Sequence, residues 1–118
     1  MSKVTIWHNP RCSKSRQALA LLENQGVELD VVLYLEKPPS RREITRVLKL
    51  LAMNPRDIIR KREPEYKDLG LDDSNMTKTE LVGAMAENPK LIERPVIIRE
   101  DQAVVGRPPE LALKLLAD

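Results

Sequence analysis

Two stretches rich in apolar and β-branched residues, "VTIW" (residues 4–7) and "ELDVVLYL" (residues 28–35), flank one segment of helical length. The first run is apolar enough to sit inside a sheet. Between them, residues 13–25 place Ala18, Leu21, Leu22 and Gln25 near one helical face, and Gly26 follows as a C-terminal stop. Strand, helix and strand in immediate succession imply parallel pairing, because the chain must cross over through the helix to run in the same direction again.

The middle of the chain reads as helical. After Pro38-Pro39, "SRRE" (residues 40–43) is a capping box, with Ser40 capping the first turn and Glu43 reaching back. Ile44, Val47, Leu48 and Leu51 follow at helical spacing. Asn54-Pro55 restarts a short helix, and "TKTE" (residues 77–80) opens another that runs to Ala86, before Asn88-Pro89. "PVII" (residues 95–98) is then a strand, Glu100-Asp101 a turn, and residues 103–105 its hairpin partner. "RPPELALKLLA" closes the chain as a helix started by prolines. The order is β-α-β, a block of helices, then β-β-α. The fold expected from it is α/β: a thioredoxin-like three-layer arrangement with a mixed four-stranded sheet. The helical insertion, about 38–90, falls between the βαβ and ββα halves of a single domain spanning 1–118. Low-complexity or coiled-coil alternatives do not generate this order.

At 118 residues the chain fits one domain. A domain of this size buries roughly two-thirds of its unfolded surface and needs no disulfide or metal staple. One cysteine allows no intramolecular disulfide, and one cysteine with one histidine cannot supply the ligand set of a structural zinc site. No basic stretch leads into an apolar run at the N-terminus, so no signal peptide is expected. No stretch approaches the roughly 18 apolar residues of a membrane helix. The expected compartment is the reducing cytoplasm, with no membrane association and a monomer as the default state.

The net charge of +2 argues against a general nucleic-acid binder. Trp7, Tyr34 and Tyr66, with no phenylalanine, leave no aromatic platform for single strands. The charge is unevenly spread. Residues 36–67 hold ten Lys and Arg against five Asp and Glu, whereas residues 68–93 hold six acids against two bases. That asymmetry suits a small anionic ligand, although a solvated helical face is its commoner cause.

The single cysteine stands at a telling place. Cys12 follows the Asn9-Pro10 turn and immediately precedes the first helix. There it meets unpaired backbone N–H groups and the positive end of the helix dipole, which favour thiolate over thiol. The flanking His8, Arg11, Lys14 and Arg16 would act in the same sense. Thiolate is the nucleophilic form, and the N–H groups of residues 13–16 could hold an anion beside the sulfur. Spacing separates the thiol chemistries. "CSKS" lacks the second cysteine of a dithiol oxidoreductase, so any disulfide formed by Cys12 must be with another molecule. Six residues beyond Cys12 stands Ala18, where the loop of a low-molecular-weight phosphatase requires arginine.

Together, "HNPRCSKSR", "YLEKPPSRREI", "IIRK", "YKDLGL", "NPKLIERPVII" and "VGRPPE" resemble the glutaredoxin-dependent arsenate reductase family, in order and over nearly the whole chain. With its end at Asp118, the chain resembles the short housekeeping members more than the resistance-linked ones with a longer C-terminal extension. The resemblance implies that Cys12 in the H-N-P-x-C segment is the nucleophile, with His8 supporting its lowered pKa. It implies that Arg60, Arg94 and Arg107 bind the oxyanion, joined by Ser15, and that Pro95 is a cis-proline. Arginine suits multidentate recognition of oxygen. Arg41, Arg42, Arg46, Arg56, Arg62 and Arg99 are expected to be solvated surface residues.

The implied reaction is reduction of arsenate to arsenite. Cys12 attacks arsenate, glutathione as co-substrate attacks the adduct because no second protein thiol exists, and the partner glutaredoxin removes the glutathione. No bound cofactor and no metal is required. Two other readings stay open: a regulator that binds RNA polymerase or another protein, and a monothiol glutaredoxin-like oxidoreductase. The second would use Cys12 but tolerate loss of Arg60 and Arg107.

Overall fold

The computed structural model describes residues 3–116. They divide into two compact units, one made of residues 3–37 and 94–116 and the other of Pro38–Glu93.

The first unit is built on a mixed sheet. Its elements are β1 (Val4–Trp7), α1 (Ser13–Asn24), β2 (Leu29–Val32), β3 (Val96–Arg99) and β4 (Gln102–Val105), followed by a three-ten helix, Pro109–Leu116. The strand order is β2-β1-β3-β4. β1 runs parallel to β2, with Val4 opposite Leu29, and antiparallel to β3, with Ile6 opposite Ile97. β3 and β4 close as a hairpin whose turn places Glu100 in the left-handed region at φ 54°. This is the α/β sheet that the sequence predicts, including the parallel first pair.

Alternation along the strands decides what is buried. Val4, Ile6 and Ile97 share one sheet face and meet Ala18 and Leu22 of α1 and Ala112 and Leu115 of the C-terminal helix. Trp7 and Val96, opposite each other in register, stand on the other face and are also buried. Gly106 has a steric reason. A Cβ there would lie 2.9 Å from both Ile97 Cδ1 and Pro95 Cγ, and its N–H donates to the Pro95 carbonyl at 2.8 Å. That contact fastens the end of β4 to the start of β3.

Three details differ from the sequence reading. The second strand stops at Val32 rather than Leu35, because the Leu33 carbonyl takes the N–H groups of Glu36 and Lys37 and turns the chain, burying Tyr34. The closing helix is three-ten rather than α, its first turn held by Leu111 N–H to the Pro108 carbonyl. Arg99 is not a solvated residue: its Nη1 donates to the Leu115 carbonyl at 2.6 Å and ties β3 to that helix.

The second unit is helical: α2 (Arg41–Leu51), α3 (Pro55–Ile58), α4 (Pro64–Asp68), α5 (Lys78–Glu87) and a three-ten turn, Pro89–Leu91. Ile44, Val47 and Leu48 of α2 and Leu81, Val82 and Met85 of α5 are its buried residues at helical spacing, and the two helices pack on each other. Both predicted capping boxes close, Ser40 with Glu43 and Thr77 with Glu80, and Asn54 with Asp57 forms a third. The helix α4, begun by Pro64, had no expectation in sequence. Arg56 is another correction, since it donates to the carbonyls of Leu71 (2.8 Å) and Asp73 (2.6 Å) and secures the loop after α4.

Two tests follow from this packing. Leu22→Ala should cost roughly 2–5 kcal/mol in urea unfolding, the range for a fully buried leucine, whereas the exposed Gln17→Ala should leave the midpoint in place. The Thr77 backbone N–H and its hydroxyl lower the pKa of Glu80 against burial and Asp73, which raise it. A carboxyl with a depressed folded pKa stabilises above its unfolded pKa and loses that contribution as pH falls through the folded one. Glu80→Gln should therefore destabilise near neutral pH, and the difference from wild type should shrink in acid below the ordinary glutamate range.

Candidate active site

The loop between β1 and α1 is fixed by its own hydrogen bonds. His8 N–H continues the sheet to the Val32 carbonyl at 2.8 Å. Asn9 then folds the turn, its Oδ1 accepting Arg11 N–H at 3.0 Å and its carbonyl accepting Cys12 N–H at 3.0 Å. Arg16, one turn into α1, donates to the Pro10 carbonyl at 2.8 Å and holds the loop against the helix. Cys12 lands at the N-cap position in extended conformation.

Around the sulfur the electrostatics favour the anion. Partial burial raises the Cys12 pKa, but the Ser15 N–H, hydrogen bonding and charge from Arg94, and the Lys14 N–H outweigh it, so the thiol is held below its ordinary range. Arg107 Nη2 lies 3.6 Å from the sulfur, and its Nε donates to the Arg94 carbonyl at 2.8 Å. The backbone of one arginine thus orients the guanidinium of the other. Both arginines border the hairpin of β3 and β4 that Gly106 fastens, and both precede cis-prolines, Pro95 and Pro108.

The first unit therefore brings together Cys12, Arg94 and Arg107, three of the residues named from sequence. Arg60 belongs to the second unit, where its Nε meets Glu63 at 3.3 Å and its Nη1 meets Glu93 at 3.2 Å. Two expectations change in kind. His8 is buried, and burial and Arg16 lower its pKa against a smaller opposing effect of Glu23, so its charged form is disfavoured. The Ser15 side chain is buried too. Its Oγ lies 2.7 Å from His8 Nδ1 and accepts Asn9 N–H at 3.0 Å, so the hydroxyl points into the loop rather than toward a substrate. Among the described residues no group of three His, Cys, Asp or Glu forms that would hold a metal ion.

Two contributions were not foreseen in the sequence: the Arg94 carbonyl that orients Arg107, and the hydrogen bond by which Arg16, expected there only as a nearby cation, holds the loop. Gly106 before Arg107 was the only legible signal for the first, as a residue at which backbones approach closely.

The family model described as "ArsC family" matches residues 7–115. This chain belongs to the ArsC family. Relatives within and around it agree over nearly their full lengths. "Uncharacterized protein YfgD" of Escherichia coli (strain K12) is 48% identical over 97% of each chain. An arsenate reductase of Haemophilus influenzae is 45% identical over 96% of this chain and 98% of its own. The solved arsenate reductase of Vibrio cholerae superposes with a TM-score of 0.92 at 50% identity, covering 96% of this chain and 97% of that one. These likenesses fix the thioredoxin-like fold of the family on this chain.

The arrangement can present a nucleophilic sulfur beside donors that bind an oxyanion. Alkylation of Cys12 by iodoacetamide should show a pH midpoint below the ~8.5 of an unperturbed thiol. Arg94→Ala should move that midpoint upward, since it removes both a hydrogen bond and a positive charge from the thiolate.

Proposed function

We propose that this protein is an arsenate reductase that uses glutathione and glutaredoxin as electron donors. The observation that carries the reading is the convergence of Arg94 and Arg107 on the Cys12 sulfur. A thiol that served only as a redox sensor needs a lowered pKa, but it does not need two guanidinium groups beside it. A tetrahedral oxyanion of high charge does.

In this reading the Cys12 thiolate attacks arsenic, and one oxygen leaves as water once protonated. Arg94 and Arg107 donate to the remaining oxygens and offset the charge that develops there. The helix N-terminus, through the N–H groups of Lys14 and Ser15, adds donors on the same side. Arsenic then passes from the pentavalent to the trivalent state by taking two electrons. Those electrons come from one thiol of glutathione and one of glutaredoxin, which end as a mixed disulfide, and water then replaces Cys12 on arsenic(III), releasing arsenite and returning the free cysteine. An external thiol pair is needed because the chain has a single cysteine. Arg60 enters this proposal through the family resemblance as the third anion-binding arginine, with Glu63 and Glu93 holding its guanidinium. The proposed setting is the cytoplasm, where glutathione keeps thiols reduced, and the proposed state is a monomer.

Turnover of arsenate with glutathione and glutaredoxin tests the reading. Cys12→Ser should abolish arsenite formation. Arg60→Ala and Arg107→Ala should each lower kcat/KM by about a hundredfold or more, the scale of losing one charge-stabilising donor. A monothiol glutaredoxin-like enzyme would instead reduce glutathione mixed disulfides and keep that activity in both arginine variants.

A further inference from the structure

β1 and β2 run parallel, so the chain leaves both strands at the same end of the sheet, the end that carries the Cys12 loop. Ligands of open α/β sheets bind outside such carboxyl ends. Two loops meet there: residues 9–11 after β1, and the turn after β2 in which the Leu33 carbonyl takes the N–H groups of Glu36 and Lys37. They enclose a cavity of about 220 Å³, walled on its apolar side by Pro10, Leu33 and Leu35 and bordered by Arg11 and Glu36. Leu35, at 36% exposure, offers apolar surface at this wall. Arg11 and Glu36 carry opposite charges, yet no ion pair joins them, and neither side chain has a salt bridge to another described residue. Their backbones hold the loops instead, Arg11 N–H on Asn9 Oδ1 at 3.0 Å and Glu36 N–H on the Leu33 carbonyl at 2.9 Å.

A cation and an anion set apart on one small cavity complement a group that carries both charges, the carboxylate and ammonium of an α-amino acid. A plain carboxylate would gain Arg11 but face Glu36, and a plain amine would do the reverse. We propose that this cavity binds the γ-glutamyl end of glutathione, with its α-carboxylate on Arg11, its ammonium on Glu36 and its methylenes against Pro10, Leu33 and Leu35. Glutathione is the occupant because it joins such a zwitterion to a thiol through a short flexible chain. Arg11 is the residue next to Cys12, so a ligand anchored there keeps its own sulfur beside the one it must reach. Tethering of this kind turns an encounter between two molecules into a local one. Neither Arg94 nor Arg107 lines the cavity, so the thiol donor and the oxyanion use different groups around one sulfur.

The proposal rests on glutathione being the thiol donor, but its test contains no arsenate, so the two fail separately. The full-length Cys12→Ser protein, which cannot form a mixed disulfide, would be titrated with reduced glutathione and followed by its backbone amide NMR signals. The expected result is saturable shifts centred on residues 9–11 and 33–36. Arg11→Ala and Glu36→Gln, made in the same background, should each raise the Kd about fivefold, the scale of one solvent-exposed ion pair. Neither side chain makes the hydrogen bond that holds its loop, so both variants should keep the wild-type spectrum without ligand. γ-Glutamylcysteine, which lacks the glycine, should bind as glutathione does, whereas cysteinylglycine, which lacks the γ-glutamyl end, should not. Shifts centred instead on residues 94–95 and 106–107 would overturn the proposal. So would an unchanged Kd in both variants, equal binding of cysteinylglycine, or no binding at millimolar glutathione.

Discussion

One sulfur whose thiol pKa is held low by its neighbours is the constraint around which the first unit is organised. Two guanidinium groups near one another repel, and each is costly to desolvate unless an anion lies between them. Cys12, whose thiol is held below its ordinary range, favours the anionic form there, and in the proposed function an oxyanion shares that role. Every surrounding detail keeps the sulfur and the arginines in register. The β1–α1 loop sets the sulfur at a helix N-terminus, and the β3–β4 hairpin brings Arg94 and Arg107 to it. Without the sheet order β2-β1-β3-β4, which lays β1 beside β3, the loop and the hairpin would not be neighbours.

That dependence explains why small residues and backbone groups matter as much as the charged ones. Gly106 allows β4 to approach Pro95 and Ile97, and the Arg94 carbonyl then meets Arg107 Nε. Neither feature touches a substrate. Both decide where a guanidinium points, and misplacement by about 1 Å can cost two orders of magnitude in rate. The second unit manages its own arginine differently. Arg60 is held by two carboxylates, Glu63 and Glu93, so its charge is compensated where it stands.

Much of this was legible in the sequence. The apolar runs and the two capping boxes located β1, β3, α2 and α5 closely, because those signals are local and the residues that make them also make the structure. The position of Cys12 between a turn and a helix exposed its chemistry for the same reason. What escaped the reading was relational. Arg56 and Arg99 look like surface arginines, but each reaches a carbonyl far along the chain, at Leu71 and Asp73 or at Leu115. His8 looks like a cation beside a thiol, yet its burial and its bond to Ser15 depend on a partner seven positions away that only the folded turn brings to it. The three-ten form of the last helix escaped because paired prolines mark a helix start without fixing its winding.

The central claim is that Cys12, Arg94 and Arg107 together make an oxyanion site, and the most direct measurement is protection of the thiol. Alkylation of Cys12 by iodoacetamide would be followed at fixed pH and ionic strength against rising arsenate, with chloride as the control anion. The account predicts that arsenate slows alkylation saturably in the wild-type protein, and that Arg107→Ala needs far more arsenate for the same effect. Alkylation rates indifferent to arsenate, or slowed equally by chloride, would contradict it.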